Sequence, residues 1–231
     1  MKKGFVIAID GPVAAGKGTI ASELAKELQG FYLYTGATYR CLTLYGLEKG
    51  IDFSDEQAII AMLPDVDIDL VDNRVMLNGN DVTETIQRVD VSKTVPMVGA
   101  VQQVRTAMVA LQREIAVKRI EKGEIIVIEG RDTATVVFPD AALKVFLTAY
   151  PEVRASRRLA QLQSSGNTTM SLADVLQSLQ KRDEEDTERA IDPLVKDPSK
   201  YGYFIVDDTG LSEGDTVKKI TEELKKRNLL I

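Results

Sequence analysis

The stretch that decides the fold of this chain is Gly11-Pro12-Val13-Ala14-Ala15-Gly16-Lys17-Gly18-Thr19, which has the Gly-x4-Gly-Lys spacing of a phosphate-binding loop. Glycines in such a loop let successive backbone N–H groups turn inward around a phosphate, and the start of the following helix adds the positive end of its dipole. Lys17 can reach the β- and γ-phosphates of a nucleoside triphosphate, and the hydroxyl of Thr19 can contact Mg²⁺ directly or through water. The motif therefore predicts that the chain binds a nucleoside triphosphate.

The segments on either side of the loop predict a strand before it and a helix after it. The apolar run from Phe5 to Ile9 is typical of a strand buried on both faces, and apolar residues recur at four-residue spacing over 19–28. Further runs of this kind and further helical stretches follow along the chain. The strand-like runs are 31–33, 125–128, 143–147 and 203–206, and the helical stretches are about 102–122, 151–163, 171–190 and 214–228. Strands that alternate with helices predict an α/β fold with a parallel sheet of the P-loop NTPase type, flanked by helices.

One region departs from this pattern. Apolar and polar residues alternate over 66–70 and again over 75–77, with turn signals at Asp72-Asn73 and Asn78-Gly79. Alternation with a period of two is typical of a half-exposed antiparallel hairpin. An antiparallel patch inside an α/β chain predicts an inserted lobe with a small antiparallel sheet.

These patterns predict the domain organisation. We expect a core of residues 1–36 and 105–231, with the inserted lobe at residues 37–104. A short lid is expected at about 157–189. The polar stretch Ser164-Ser-Gly-Asn-Thr-Thr169 is where such a lid could hinge, although a plain connector between two helices fits its composition equally well.

The composition excludes several classes of protein. The 231 residues include no histidine and one cysteine, Cys41, so a Ser-His-Asp triad, a His-ligated metal site and an intrachain disulfide are all impossible. The net charge of −6 argues against a general nucleic-acid or membrane binder. No apolar run approaches the roughly 20 residues of a membrane span, and we expect a cytoplasmic protein. Cys41 is expected to be a small buried apolar residue.

Several arginines stand where an anion would be bound. Arg40 and the pair Arg131-Asp132 follow strand-like runs, and ligands of α/β proteins bind at the carboxyl ends of strands. Arg182, Asp186 and Arg189 are spaced i, i+4 and i+7, which predicts that they share one helix face. Arginine binds phosphate through two parallel hydrogen bonds.

Each of these arginines also has a simpler interpretation. The helical set could be a solvated face with intrahelical ion pairs, Arg131-Asp132 could be a salt bridge at a strand end, and Arg40 could be an ordinary surface residue. An acidic chain that places arginines after successive strands nevertheless favours an anion pocket.

At these residues the chain resembles the bacterial cytidylate (CMP) kinases. The resemblance extends from residue 9 to about residue 194, in the order of the family. The matching stretches are Ile9-Asp-Gly-Pro, Gly16-Lys-Gly-Thr19, Thr35-Gly-Ala, Tyr39-Arg40, Leu77-Asn-Gly, Asp81-Val-Thr83, Val104-Arg105, Gln112-Arg113, Gly130-Arg131-Asp132, Thr135-Val-Val-Phe-Pro-Asp140, Arg182-Asp183, Asp186, Arg189 and Pro193-Leu194. The Gly-Arg-Asp motif joined to Thr-Val-Val-Phe-Pro-Asp is the most specific of them.

The resemblance implies transfer of the γ-phosphoryl group of ATP to CMP or dCMP, with Mg²⁺ as cofactor, by a monomer that needs no nucleic acid and no membrane. On the donor side, it implies that the loop 11–19 with Lys17 holds the ATP phosphates, and that Arg157 or Arg158 reaches ATP from the lid. The inserted lobe would bind the monophosphate.

On the acceptor side, the resemblance implies that Arg40 and Arg131 hold the phosphate of the monophosphate, with Thr35 and Tyr39 in the same pocket. Arg105 and Asp132 would face the cytosine. Arg182 and Asp186 would lie near the sugar and the phosphates, and Arg189 would join the phosphate cluster. The residues implied to take part in the chemistry are Lys17, Arg131, Asp132, Arg182 and Arg189.

The chain departs from the family pattern at a few positions. The stretch Val13-Ala14-Ala15 replaces smaller residues, and Thr133-Ala134 replaces a pair that ends in glycine. Tyr34 stands where an aspartate is usual, and Gln87 where an arginine is usual. Pro96 stands near where a serine contacts the cytosine, and proline has neither a hydroxyl nor an N–H group.

Two other functions stay open on the sequence. A kinase for another nucleoside monophosphate, such as UMP or a broader range of pyrimidines, would share every phosphate-binding motif. A P-loop ATPase or GTPase switch is less consistent with the chain, because the guanine-reading Asn-Lys-x-Asp sequence is absent.

Overall fold

The computed structural model describes residues 4–71, 74–164 and 169–230. The strands, in chain order, are β1 (Val6–Asp10), β2 (Phe31–Tyr34), β3 (Ile68–Val71), β4 (Arg74–Leu77), β5 (Asn80–Asp81), β6 (Ile126–Gly130), β7 (Leu143–Thr148) and β8 (Phe204–Asp207). The helices are α1 (Lys17–Glu27), α2 (Thr35–Lys49), α3 (Glu56–Ala61), α4 (Val89–Gly99), α5 (Gln102–Ile120), α6 (Pro151–Ser164), α7 (Leu172–Glu188) and α8 (Glu213–Lys226). A short π-helical turn covers Thr133–Val137.

Five of the strands form one parallel sheet, in the order β2-β6-β1-β7-β8. Each strand lies within two residues of its predicted position, so the α/β prediction is confirmed. All five residues of β1 are buried, which agrees with its continuous apolar sequence. Because the strands are parallel, their carboxyl ends meet at one edge of the sheet, and the phosphate-binding loop leaves the central strand β1 at that edge.

Helices cover both faces of this sheet. On one face, α1 and α8 bury Leu24 and Ile220 against residues such as Ile9 and Val145. On the other face, α2 and α5 contribute to a larger apolar cluster that also contains residues of β2 and β6. The two apolar layers hold the sheet rigid beneath the loops at its carboxyl edge. Cys41 is fully buried in the larger cluster, as expected.

A second, three-stranded antiparallel sheet has the order β3-β4-β5. Ile68 pairs with Leu77 and Leu70 with Val75, and these four side chains are buried while alternate residues are exposed. The small antiparallel sheet is therefore confirmed. Asn78 and Gly79 both have positive φ, as their turn signal predicts, and the Asp72-Asn73 turn lies outside the described residues.

The sequence patterns did not predict α2, α3 and α4, which share residues 35–99 with the small sheet. Four consecutive residues of α2, Cys41 to Leu44, are buried. A helix that is buried on most sides shows no 3.6-residue alternation, which is why the pattern did not reveal it.

The helices α6 and α7 pack against each other at the carboxyl edge of the sheet. Ala155, Val175 and Leu179 form their shared apolar cluster, and Val13 and Ala14 of the phosphate-binding loop pack on it. Val13 and Ala14, which replace smaller residues of the family pattern, therefore pack against the helix pair. The predicted hinge lies largely outside the described residues, at 165–168.

In the described part of the chain, no helix combines the length and the apolar character needed to cross a membrane.

Candidate active site

The phosphate-binding loop is shaped by two glycines. A Cβ on Gly11 would lie 2.0 Å from the carbonyl oxygen of Leu147, so that only glycine lets the loop pass this close to β7. Gly16 precedes α1 with a φ of 83°, and no side chain caps the first turn of the helix. The N-terminus of α1 is thus free to bind an anion.

Lys17 begins α1, and its Nζ donates to the carbonyl oxygen of Pro12 at 2.7 Å. Burial, together with the positive charge of Arg131, lowers the pKa of Lys17 to about 7 against the opposing effect of Glu129. A buried lysine next to an arginine is stabilised by an anion, which is the environment that a triphosphate supplies.

Arg40 and Arg158 bring two more positive charges to the site. Arg40 donates from one terminal nitrogen to the carbonyl oxygen of Ile86 at 2.8 Å and to the hydroxyl of Ser92 at 3.0 Å, both of which are uncharged acceptors. Burial lowers the pKa of Arg158, and the charge of Arg40 contributes to that shift. Two arginines that repel each other in a cavity form a site for a phosphate group.

Arg131 follows β6, and Asp186 of α7 holds it in place. The Nε of Arg131 lies 2.6 Å from a carboxylate oxygen of Asp186, and Arg182 lies 3.3 Å from the other oxygen. Burial alone would raise the pKa of Asp186, but the two arginines outweigh it and hold the pKa below its usual range. The predicted i, i+4 pairing of Arg182 with Asp186 is present.

Arg189 differs from its predicted place. It lies one residue beyond the end of α7, not on the helix, because the chain turns there to an extended conformation. Its guanidinium group donates to the carbonyl oxygen of Asp192 and lies 3.5 Å from the carboxylate of Asp132.

Asp132 and Arg105 form a buried ion pair at one end of the site. Burial raises the pKa of Asp132 to about 6, against the opposing effect of Arg105 and Arg189. Tyr39 flanks the pair, with the guanidinium carbon of Arg105 5.8 Å from the centre of its ring. The pair presents both a donor and an acceptor of hydrogen bonds beside an aromatic surface, which suits a nucleobase.

Hydrogen bonds to the carboxylate of Asp10 hold the loop after β6 in place. This buried carboxylate accepts hydrogen bonds from the backbone N–H and hydroxyl of Thr133, from the N–H of Ala134 and from the hydroxyl of Tyr203, at 2.7–2.8 Å. No role for Asp10 was predicted from the sequence. Its position at the end of β1, directly before the loop, is the signal that could have shown one.

The phosphate-binding loop is also held by the helix pair. Asp183 of α7 accepts from the backbone N–H of Val13 at 2.9 Å, and its other oxygen binds Arg154 of α6 at 2.7 Å. Arg154 in turn donates to the carbonyl oxygen of Val13 at 2.8 Å. No local sequence pattern indicates this contact, because Arg154 and Asp183 lie 141 and 170 residues beyond Val13 in the chain.

Arg157 and Arg158, which were proposed as alternatives, have different environments. Arg157 binds both carboxylate oxygens of Asp208 at 2.9–3.0 Å, beside Gly16. Arg158 contacts Gln161 through one nitrogen and lines the cavity together with Arg157. Of these two arginines, Arg158 has no carboxylate partner among the ion pairs of the described residues, whereas Arg157 is paired with Asp208.

Two of the departures from the family pattern lie together. Tyr34, Arg40 and Gln87 line the same cavity, and burial raises the pKa of Tyr34 against the opposing effect of Arg40 and Gln87. Tyr34 and Gln87 thus form an uncharged pair beside Arg40. Thr35 follows Tyr34 and donates from its hydroxyl to the carbonyl oxygen of Glu129 at 2.7 Å.

One cavity of about 1610 Å³ joins these groups. Of the residues that the sequence analysis selected, all line it except Gly11 and Pro12, and Pro96 of α4 lines it as well. Gly11 packs on β7 instead, and Pro12 supplies the carbonyl oxygen that holds Lys17.

The residues present fit a Mg²⁺ ion that takes only a few of its ligands from the protein. No group of three His, Cys, Asp or Glu residues that could hold a metal ion occurs among the described residues. Thr19 is exposed to the cavity, and the nearby carboxylate of Glu129 has a single long contact, 3.5 Å from the Tyr32 hydroxyl. This set suits a cation that takes most of its ligands from phosphates and water, as Mg²⁺ does.

Comparison with known proteins decides the family. The sequence profile of the cytidylate kinases matches residues 7–226. The chain belongs to the cytidylate kinase family. It is 41% identical over 220 residues to the cytidylate kinase of Caldanaerobacter subterraneus subsp. tengcongensis, which covers 95% of this chain and 94% of that protein. It is 40% identical over 225 residues to the cytidylate kinase of Thermotoga maritima, which covers 97% and 98%.

Among solved structures, the chain resembles an uncharacterised protein from Eubacterium ventriosum, with a TM-score of 0.54, 13% identity and coverage of 96% of this chain and 98% of that one. This likeness supports the fold alone. Membership of the cytidylate kinase family makes the chain a nucleoside monophosphate kinase, which is a phosphotransferase.

Proposed function

We propose that the protein transfers the γ-phosphoryl group of ATP to CMP and dCMP, giving CDP and dCDP. The observation that carries this proposal is a single cavity that is lined both by the phosphate-binding loop and by the Arg105–Asp132 ion pair beside Tyr39. Its volume of about 1610 Å³ exceeds the range of roughly 300–1,000 Å³ that is typical for one ligand. The cavity therefore has room for a donor and an acceptor nucleotide together.

The resemblance to the cytidylate kinases implies a role for each of these residues, and their position in one cavity supports those roles. Lys17 and the loop 11–19 would hold the phosphates of ATP, with Arg157 and Arg158 beside them. Arg40 and Arg131 would hold the phosphate of CMP next to Thr35, and Arg105 and Asp132 would face its base beside Tyr39. Arg182 and Asp186 would lie near the sugar and the phosphates, and Arg189 would lie beside Asp132.

The chemistry requires charge neutralisation more than a base. The acceptor oxygen of CMP is already anionic, so no side chain has to remove a proton from it, and the lack of histidine is no obstacle. Lys17, Arg131 and Arg158 would offset the repulsion between the donor and acceptor phosphates and stabilise charge on the group in transit. Mg²⁺ bound near Thr19 would neutralise charge on the β- and γ-phosphates.

The helix pair α6–α7 is proposed to act as the lid, at about residues 157–189, and residues 37–104 as the lobe that binds the monophosphate. Both carry residues that line the cavity, namely Arg158, Arg182 and Arg40. Their closure would exclude water, which would otherwise hydrolyse ATP. We further propose that the enzyme is a cytoplasmic monomer with no nucleic-acid or membrane partner.

A broader pyrimidine range is the second candidate. Pro96 and Val95 line the cavity on α4 and present no hydrogen-bonding side chain. The wall that they form does not distinguish the exocyclic amino group of cytosine from the carbonyl oxygen of uracil, so UMP is the acceptor to test against CMP.

The test is a coupled assay of ADP release from Mg·ATP with CMP, dCMP, UMP or AMP as acceptor, and with no acceptor as the blank. We expect rapid turnover with CMP and dCMP and almost none in the blank. Equal turnover of UMP would support the broader pyrimidine kinase. Turnover that is the same with and without acceptor would contradict the proposal and indicate an ATPase.

A further inference from the structure

Asp192 stands out in the turn that follows α7. Its φ is 48°, in the left-handed region, and Pro193 comes directly after it. Residues other than glycine, asparagine and aspartate rarely adopt this conformation, and a following proline restricts the backbone further. A residue that is held in such a conformation points to a local role that the turn alone does not explain.

That role is visible in its contacts. The carboxylate of Asp192 accepts a hydrogen bond from the Nε of Arg105 at 2.7 Å. Its backbone carbonyl oxygen accepts from the guanidinium group of Arg189, with the Nε at 2.6 Å. One residue thus holds two arginines that come from different parts of the chain.

Both arginines also contact Asp132, so the four residues form a closed group with two positive and two negative charges, in which the backbone carbonyl oxygen of Asp192 makes the contact with Arg189. Arg105 uses its Nε on Asp192 and one terminal nitrogen on Asp132. Its other terminal nitrogen has only a 3.4 Å contact with the carbonyl oxygen of Gly99. This nitrogen is the donor that remains for a ligand. Asp192 itself does not line the cavity.

We propose that Asp192 is a positioning residue for the base of the acceptor nucleotide, because it orients Arg105 with its carboxylate and Arg189 with its carbonyl oxygen. The proposal rests on the proposed function, in which Arg105 and Asp132 face the base. Asp192 acts through these residues and does not touch the substrate. The restricted backbone at position 192 is what directs both acceptors toward the two arginines.

The charge of Asp192 also acts on Asp132. The pKa of Asp132 is raised to about 6 by burial, and the negative charges of Asp10 and Asp192 contribute to the rise. The charged and titratable groups that face Asp132 are Arg105 from α5, Arg189 and Asp192 from the segment after α7, Asp10 from β1, Tyr39 from α2, and Tyr203. Removing the charge of Asp192 alone therefore lowers the pKa of Asp132.

Two substitutions separate the roles of this residue. Asp192→Asn keeps an oxygen acceptor and a residue that tolerates positive φ, but removes the charge. Asp192→Gly removes the acceptor for Arg105 but keeps the carbonyl oxygen for Arg189 and relieves the restricted backbone. Asp197→Asn is the matched control, because Asp197 is an exposed carboxylate five residues further on that does not line the cavity.

Three quantities are measured for each variant. They are the steady-state KM values for CMP and for ATP, the melting temperature, and kcat/KM for CMP over about pH 5 to 8. Wild-type kcat/KM for CMP should fall as pH decreases through about 6, when Asp132 takes up a proton. In Asp192→Asn this fall should move to lower pH. In Asp192→Gly the KM for CMP should rise by about tenfold, as the loss of one charge-assisted hydrogen bond predicts, with the KM for ATP and the melting temperature unchanged.

The proposal is overturned if both variants keep the wild-type KM for CMP and the wild-type pH profile. It is also overturned if the KM for CMP and for ATP rise together with a fall in melting temperature, since a structural role alone explains that result. A wild-type enzyme without activity toward CMP would instead contradict the proposed function. Activity in the wild type with unchanged variants would contradict only the role of Asp192.

Discussion

Arg131 lies between Asp186 of α7 and Lys17 of the phosphate-binding loop. Its Nε binds Asp186 at 2.6 Å, and its charge contributes to the lowered pKa of Lys17, so it lies close to both of the proposed nucleotide sites. We expect Arg131→Ala to reduce kcat with CMP by on the order of 10³-fold, because arginines that stabilise the transferring phosphoryl group contribute effects of this size. The measurement is kcat at saturating ATP and CMP.

The matched control is Arg74→Ala, since Arg74 is an exposed arginine on β4 that does not line the cavity. Its kcat should equal that of the wild type. Turnover of Arg131→Ala close to the wild-type value would show that Arg131 does not hold the reacting phosphates.

Local spacing predicted some of these residues and missed others for a physical reason. The pairing of Arg182 with Asp186 was predictable because residues four apart meet on a helix surface. Asp183 and Asp192 were missed because their partners, Val13 and Arg105, lie far away in sequence. A carboxylate in a charged stretch carries no local sign of which distant group it binds.

Among the elements, α7 has a direct connection to the phosphate-binding loop through Asp183. Its carboxylate holds the backbone N–H of Val13 at 2.9 Å and the buried guanidinium group of Arg154 at 2.7 Å. We expect Asp183→Ala to raise the KM for ATP by about tenfold with little change in the KM for CMP, because only the donor loop loses a positioning contact. The variant should also unfold at lower temperature, since Arg154 is left buried beside an unpaired N–H group.

Gln180→Ala is the control for this substitution, because Gln180 is an exposed residue of the same helix that does not line the cavity. It should leave both KM values unchanged. Equal increases of the two KM values in Asp183→Ala would indicate that α7 positions the whole site and not the loop alone.

The elements also show where pattern reasoning works. The strands β1 and β6 and the hairpin of β3 and β4 were predictable, since continuous burial and two-residue alternation are both visible in a sequence. The helix α2 was not, because it is buried on most sides and its neighbours are set by the tertiary fold.

At the scale of the whole molecule, the distribution of charge is uneven. The chain carries a net charge of −6, yet the lining of its main cavity is not acidic, because two lysines and seven arginines stand there against eight carboxylates. Burial and the charge of Arg131 lower the pKa of Lys17, and burial and the charge of Arg40 lower that of Arg158. The folded protein is therefore stabilised whenever anions occupy the cavity.

The two nucleotide sites should be coupled through the helix pair α6–α7, because Arg158 on the donor side and Asp186 on the acceptor side belong to the same pair. Once the first ligand has ordered these helices, the second ligand binds without the same loss of conformational entropy. We expect ADP and CMP together to raise the melting temperature by more than the sum of their separate effects. A coupling of about 1 kcal/mol would add about 3 °C for a chain of this size.

Scanning calorimetry measures the three shifts, with ADP, with CMP and with both ligands. In Lys17→Ala the shift with CMP should persist, while the excess over the sum of the separate shifts should disappear. Strictly additive shifts in the wild type would show that the two sites bind independently and that the helix pair does not close over both.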